Sequence, residues 1–376
     1  MRAELPVIST VSDLVARHPD LTGAWVIGVD LRIAELDWST VEASNAVFAG
    51  CRMDGATVDA LGAGGAVVLP PLPGLPFDPY RAWLYSNSEL MDGYSPGRPE
   101  TTLDARIGAA CAAMQDPLHV LAKGVHDACI DAALLRFLTE LGALVVGIMG
   151  SHITPRGTPD YMAVASLGRE LTRSGFVGAT GGGPGLMEAA NLGAWMAREP
   201  DDALDAACAV LMDAPMYDAD PAAYLDRALE VRRQWPNGST NLGVPTWLYV
   251  DEPVNQFASH IAKYFQNSIR ENGLLAIARG GIVFTPGGSG TLQELFTDAA
   301  QNDYTMYDVR SPMVLMGSEY RDGALSDAMA ALQALADRGG WGDLVRFVDG
   351  PSAAFGAIRE MRPPDVVVPR PPLRKR

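Results

Sequence analysis

The sequence predicts an α/β fold: a doubly wound, Rossmann-like parallel sheet, preceded by a small N-terminal β-rich region patterned like pentapeptide repeats. Three observations carry this expectation. First, three apolar, strand-like runs each end in a glycine loop that opens a helical pattern. Residues 143–149 lead into Gly150-Ser151-His152, residues 176–179 into the loop 180–188, and residues 281–284 into the loop 285–294. A lone glycine cluster is as readily a tight turn, but three with the same flanks gather loops at the carboxyl ends of parallel strands, where such sheets bind ligands. Second, apolar residues recur every five positions near the N-terminus. Third, 376 residues with 48% hydrophobic content suffice for more than one packed domain.

The elements follow in order. Residues 1–75 form the N-terminal region. Leu31, Leu36 and Val41 recur at five-residue spacing, and Phe48, Met53 and Val58 resume it, with small Ala46, Cys51 and Ala56 two positions before the second set. Such repeats wind into a square β-helix with the apolar and small residues inside. The alternative is a pair of ordinary short strands with turn glycines at Gly50 and Gly55. Residues 76–140 are a linker and helical bridge. Prolines at 70, 71, 73, 76 and 79 mark the linker. Ile107, Ala110, Cys111 and Met114 share one helical face, and Leu134, Leu135, Phe137 and Leu138 cluster on a second. Residues 141–360 form the domain that carries the glycine loops. Within it, 217–244 reads as a helix and a flap over the site. A further helix is expected over 257–277, with Phe257, Ile261, Tyr264, Phe265, Ile269 and Leu274 as a broad apolar face. Residues 361–376 are a proline-rich, basic tail, expected to be extended and mobile.

Composition excludes several classes. A formal net charge of −16 argues against a nucleic-acid backbone as partner. It leaves a small anion open, because a glycine loop acts locally while distant charge is screened over about 10 Å. Cys51, Cys111, Cys129 and Cys208 form no C-x-x-C pair and read as reduced thiols of a cytoplasmic protein. The first five residues lack the apolar core of a signal peptide, and no apolar run approaches the ~20 residues that span a bilayer. No cluster has metal-ligand spacing, no GxxxxGK[ST] occurs, and GxGxxG with a later acidic partner is absent. Neither metal nor cofactor is therefore expected.

The loop Pro286-Gly287-Gly288-Ser289-Gly290-Thr291 carries the chemistry. Between strand and helix, its backbone N–H groups converge on an anion, and the helix N-terminus adds partial positive charge. Gly287, Gly288, Ser289, Gly290 and Thr291 are the candidate phosphate cradle. Glu294 follows about one turn inside the helix, where a carboxylate either complements the dipole or acts on the bound molecule. The loop of Gly181, Gly182, Gly183 and Gly185, followed by Met187 and Glu188, together with Gly150, Ser151 and His152, is the candidate wall for the rest of the ligand. Glu188 is as readily a structural carboxylate, Met187 a packing residue, and His152 a structural histidine. His260 is a weaker candidate contact.

The strings GGGPGLMEAAN (181–191) and PGGSGTLQEL (286–295) resemble the LOG family, also named possible lysine decarboxylases, over roughly residues 141–350. The first string, with the segment 77–85, is most similar to the larger bacterial nucleotide 5'-monophosphate nucleosidases. The resemblance implies a phosphoribohydrolase that cleaves the N-glycosidic bond of a nucleoside 5'-monophosphate to free base and ribose 5-phosphate. The alternatives are a cytokinin-type enzyme acting on N6-modified adenosine monophosphate and a non-catalytic nucleotide sensor. It further implies Glu294 as a catalytic group and a homodimer or dimer of dimers with sites near the interface. LOG-like enzymes also use an arginine on the helix before the PGG strand. Arg270 is the candidate, one residue farther from Glu294 than the pattern has it, with Glu271 at the expected offset and Lys263 or Arg279 as replacements. The decarboxylase name finds no support. Lys263 lies on a polar stretch and Lys123 in a mixed one, and neither is marked as a Schiff-base residue.

Overall fold

The computed structural model describes residues 6–249 and 252–362, so residues 1–5, 250–251 and, of the tail expected over 361–376, residues 363–376 lie outside the described part. These residues divide into two compact units: those up to 83 with 110–133, and 84–109 with those from 134 onward.

In the first unit, β1 (Val7–Ile8), β2 (Trp25–Ile27), β3 (Val47–Ala49) and β4 (Val67–Leu69) form a parallel sheet in that order. Trp25 pairs with Val47 and Val47 with Val67. Parallel bridges at Asp20–Glu42 and Asp30–Arg52 flank them. Positions 20, 25 and 30 thus meet 42, 47 and 52, so each five-residue step on one coil is matched on the next. That is the coiled arrangement rather than a single pair of short strands. Leu31, Ala46, Phe48 and Cys51 point inward and are buried. The repeat then stops. Asp54 accepts the Thr57 N–H at 2.8 Å and caps a helix, α2 (Gly55–Ala63). This leaves Ala56 and Val58, expected inside, exposed. The proline-rich stretch is packed rather than a free linker: Phe77 and Tyr80 are buried, and the Tyr80 hydroxyl donates to the Pro70 carbonyl at 2.8 Å.

The second unit is a Rossmann-like α/β fold. Among the described residues its sheet has seven parallel strands. They are β5 (Val145–Met149), β6 (Val177–Thr180), β7 (Leu242–Gly243), β8 (His260–Ile261), β9 (Ile282–Phe284), β10 (Met313–Met316) and β11 (Val345–Val348), ordered β11-β10-β9-β5-β6-β7-β8. Fully apolar β5 and β9 sit in the middle with every residue buried, as parallel strands covered on both faces require. The chain runs outward from β5 to β8, then returns to lay β9 on the other side of β5. That reversal is the topological switch point, where open α/β sheets bind ligands.

Helices α6 (Pro159–Arg173) and α7 (Leu186–Trp195) pack on this core. Thr158 caps α6 by accepting the Tyr161 N–H, and Pro159 starts it. The two helices approach closely because glycines face each other's backbone. A Cβ on Gly193 would stand 1.8 Å from the Ala165 carbonyl oxygen, and one on Gly168 would stand 2.3 Å from that of Ala190. Gly193→Val is expected to destabilise the fold by about 1–3 kcal/mol, the usual cost of overpacking. A urea midpoint equal to that of the parent would refute this packing.

One expected element is different. Residues 257–265 form no helix. Ile261 exchanges backbone hydrogen bonds with Tyr85, and the Ala262 N–H donates to the Gly243 carbonyl. Those backbone groups are satisfied by sheet neighbours, and helix α10 (Asn267–Ile277) starts only after them. Phe257, Ile261, Tyr264 and Leu274 are all buried in the unit's own core. Of the six residues of that expected face, Phe265 and Ile269 are only half-buried.

Candidate functional site

The loops after β5 and β9 border a cleft of about 840 Å3 at the switch point. The two loops are tied together. The Thr285 N–H and hydroxyl both donate to the Met149 carbonyl at 2.8 Å, and the Ser151 N–H donates to the Pro286 carbonyl at 3.0 Å. Gly150 permits this: a Cβ there would lie 2.0 Å from Thr285 Oγ1. The third loop joins through the Leu186 N–H, which donates to the Ser151 carbonyl at 2.9 Å.

Helix α11 (Ser289–Asp303) begins at the cleft, with Gly288 as its N-cap. The first helical bond is that of the Leu292 N–H to the Gly288 carbonyl, so the amides of Ser289, Gly290 and Thr291 precede the ladder and have no helical acceptor. Gly288, Ser289, Gly290 and Thr291 line the cleft. A Cβ on Gly288 or Gly290 would meet nothing within 4 Å, so the backbone is open to an approaching anion. Gly287 stands behind them, where its missing Cβ makes room for the Thr291 side chain.

An acid–base cluster faces this helix end. Arg270 Nη1 lies 3.7 Å from Glu294 Oε1, and both side chains are largely buried. Asn267 Oδ1 accepts from Arg270 Nη2 at 2.7 Å and from Nε at 3.1 Å. Glu271 accepts from Asn267 and from Gln293. Burial pushes the Glu294 carboxyl up to about 7; Arg270 opposes the shift and Glu271 adds to it. A cation, a carboxyl titrating near neutrality and free helix amides thus share one cleft. The structure puts Arg270 beside Glu294 despite the one-residue offset. Lys263 is buried in an ion pair with Asp104 at 2.7 Å, and Arg279 borders a separate small cavity with Asp298.

Of the residues expected on the ligand side, Gly150, Ser151, His152, Gly181 and Met187 line the cleft; Gly182, Gly183, Gly185 and Glu188 are not among its walls. Glu188 is held elsewhere. Its two oxygens accept from Arg156 Nε and Nη2 at 3.0 Å each, from the Tyr161 hydroxyl at 3.1 Å and from the Tyr224 hydroxyl. Burial and the Glu188 charge hold both phenols well above their ordinary range. Glu188 is therefore the centre of a buried structural network, which corrects the ligand role expected for it. His260 is also away from the cleft, in β8, with its ring 4.3 Å from that of Phe137.

The sequence reading missed Tyr217, Asp218, Leu248, Tyr249, Glu252, Asn267 and Gln293 on the cleft wall. Tyr217 and Asp218 fall in the segment expected to flap over the site, which was their only signal. Glu252 is half-buried there, and burial raises its carboxyl pKa. Among the described residues no group of three His, Cys, Asp or Glu side chains could hold a metal ion, and no helix is long and apolar enough to cross a membrane.

Fold and cleft together define a Rossmann-like α/β protein with a glycine-loop cleft at the switch point of its sheet. No family model matches the chain, and no curated protein matches it. Solved structures do. A molybdenum cofactor binding protein from the phototrophic bacterium Rippkaea orientalis is 16% identical with a TM-score of 0.35, covering 58% of this chain and 97% of its own. The molybdenum cofactor carrier protein from Chlamydomonas reinhardtii is 19% identical with a TM-score of 0.36, at 58% and 97% coverage. The LOG membership expected from the sequence is withdrawn, because no family model and no curated protein matches the chain. The reading built on that membership falls with it. Hydrolysis of nucleoside 5'-monophosphates, the cytokinin-type alternative and the nucleotide sensor are not supported.

Proposed function

We propose that this chain binds a small phosphorylated organic molecule in the switch-point cleft. The observation that carries this is the open N-terminal turn of α11, whose amides share the cleft with Arg270. The phosphate would rest on Ser289, Gly290 and Thr291, and the organic part against Met187, Leu248 and Tyr249. Calorimetric titration with phosphomonoesters and their dephosphorylated counterparts tests it. The panel includes molybdenum cofactor, the ligand named for the structures the chain resembles. Each dephosphorylated partner is expected to bind about tenfold more weakly or worse, because the loop amides are left unpaired. Equal affinities within every pair would overturn the proposal.

The Glu294 carboxyl favours a second reading, an enzyme that moves a proton on the bound ligand, because a group titrating near 7 serves as acid or base at neutral pH. Mass spectrometry of the ligand after incubation separates the two. Recovery unchanged confines the site to binding, and conversion assigns chemistry. The four buried, unbonded cysteines suit a reducing, cytoplasmic setting.

A further inference from the structure

Within the same compact unit a second cavity, of about 380 Å3, shares no lining residue with the cleft. Trp195, Arg198, Arg232, Asn237 and Ser88 stand on its walls. No carboxylate occurs among the described residues that line it, although the chain carries a net charge of −16. Two arginines thus face the cavity and, among the described residues, no carboxylate does.

The cavity is built rather than incidental. Arg232, on α9 (Pro221–Gln234), lies over the Trp195 ring with its guanidinium carbon 4.6 Å from the centroid. Its Nη1 donates to the Gln256 carbonyl at 2.8 Å. Trp195 is fixed in turn. Its indole N–H donates to the Trp235 carbonyl at 2.8 Å, and its ring lies so close to Gly238 that a Cβ there would be 1.9 Å away. The stacked guanidinium is thus held in place with donors left over, a fork that matches an oxyanion. Neither Arg198 nor Arg232 belongs to an ion pair among the described residues. A partly buried cation without a counter-charge costs free energy, which a bound anion would return.

We propose that this cavity is a second binding site, taking a small organic anion whose phosphate or carboxylate group sits between Arg198 and Arg232. Asn237 and Ser88 offer neutral polar groups on the same walls, and the cavity volume suits a molecule much smaller than the cleft admits.

The test uses the full chain carrying Gly288→Val, which puts a side chain into the first site, so that any anion binding reports the second. Inorganic phosphate and malonate are titrated calorimetrically at millimolar concentration. Binding is expected for at least one, and the preferred anion tells phosphate from carboxylate. Arg232→Met is expected to weaken it about tenfold or more, as loss of a charge-assisted hydrogen bond does, and Arg198→Ala to weaken it as well. If Arg232→Met does not fold, Arg198→Ala at an exposed position decides alone. No binding of either anion, or affinities unchanged in the folded variants, overturns the proposal.

Discussion

Arg156→Met is expected to destabilise the protein by about 3–5 kcal/mol, the cost of leaving one partner of a buried ion pair uncompensated. Arg156 and Glu188 are almost fully buried, with Arg156 Nη2 2.8 Å from Glu188 Oε1. The guanidinium also donates to the carbonyls of Ala214 and Tyr224 and lies over the Tyr224 ring. Removing it strands a carboxylate that retains only two phenol donors. Replacing both charges, as Arg156→Met with Glu188→Met, should cost less than the two single changes summed, because no lone charge remains. Denaturant unfolding of the two singles and the double measures this. Additive losses would mean that the pair is not coupled, and the network reading of Glu188 would fail.

Glu294→Gln is expected to abolish a pH dependence of both stability and binding. The carboxyl lies at about 7 in the fold against an ordinary 4.5. Its folded value is raised, so between 4.5 and 7 the folded state holds more protons than the unfolded state. Stability is then greatest below about pH 4.5 and declines as pH rises toward 7. Relative to Glu294→Gln, the parent should lose melting temperature across that window and level off above it. Binding of a phosphomonoester should weaken over the upper part of the window, since ionised Glu294 adds negative charge beside the phosphate. In Glu294→Gln that decline should vanish while the ligand still binds. Melting curves that run parallel from pH 4 to 8 would show that Glu294 is not held out of water as the structure has it.

The residues themselves determined the central sheet and the glycine loops that border the cleft. Three apolar runs, each closed by a glycine loop, point to parallel strands feeding helices, and the need for Gly287 is local, set by the Thr291 side chain in the next turn. Glu294 and the loop Gly288 to Thr291 follow because helix-end chemistry is local. The five-residue pattern also set the N-terminal coil as far as Cys51 and Met53. What the string left open depends on partners distant in sequence. Glu188 follows a glycine loop much as Glu294 does, yet Arg156, Tyr161 and Tyr224 claim it, from 32, 27 and 36 residues away. Residues 257–265 have a helical spacing, but hydrogen bonds to Tyr85 and Gly243 draw them into the sheet. Arg270 reaches Glu294 because two helices meet side by side, which spacing along one chain cannot express. Local turn and helix-end physics is legible residue by residue. Which buried charge finds which partner is decided by packing, because the free energy of a buried group depends on everything that surrounds it.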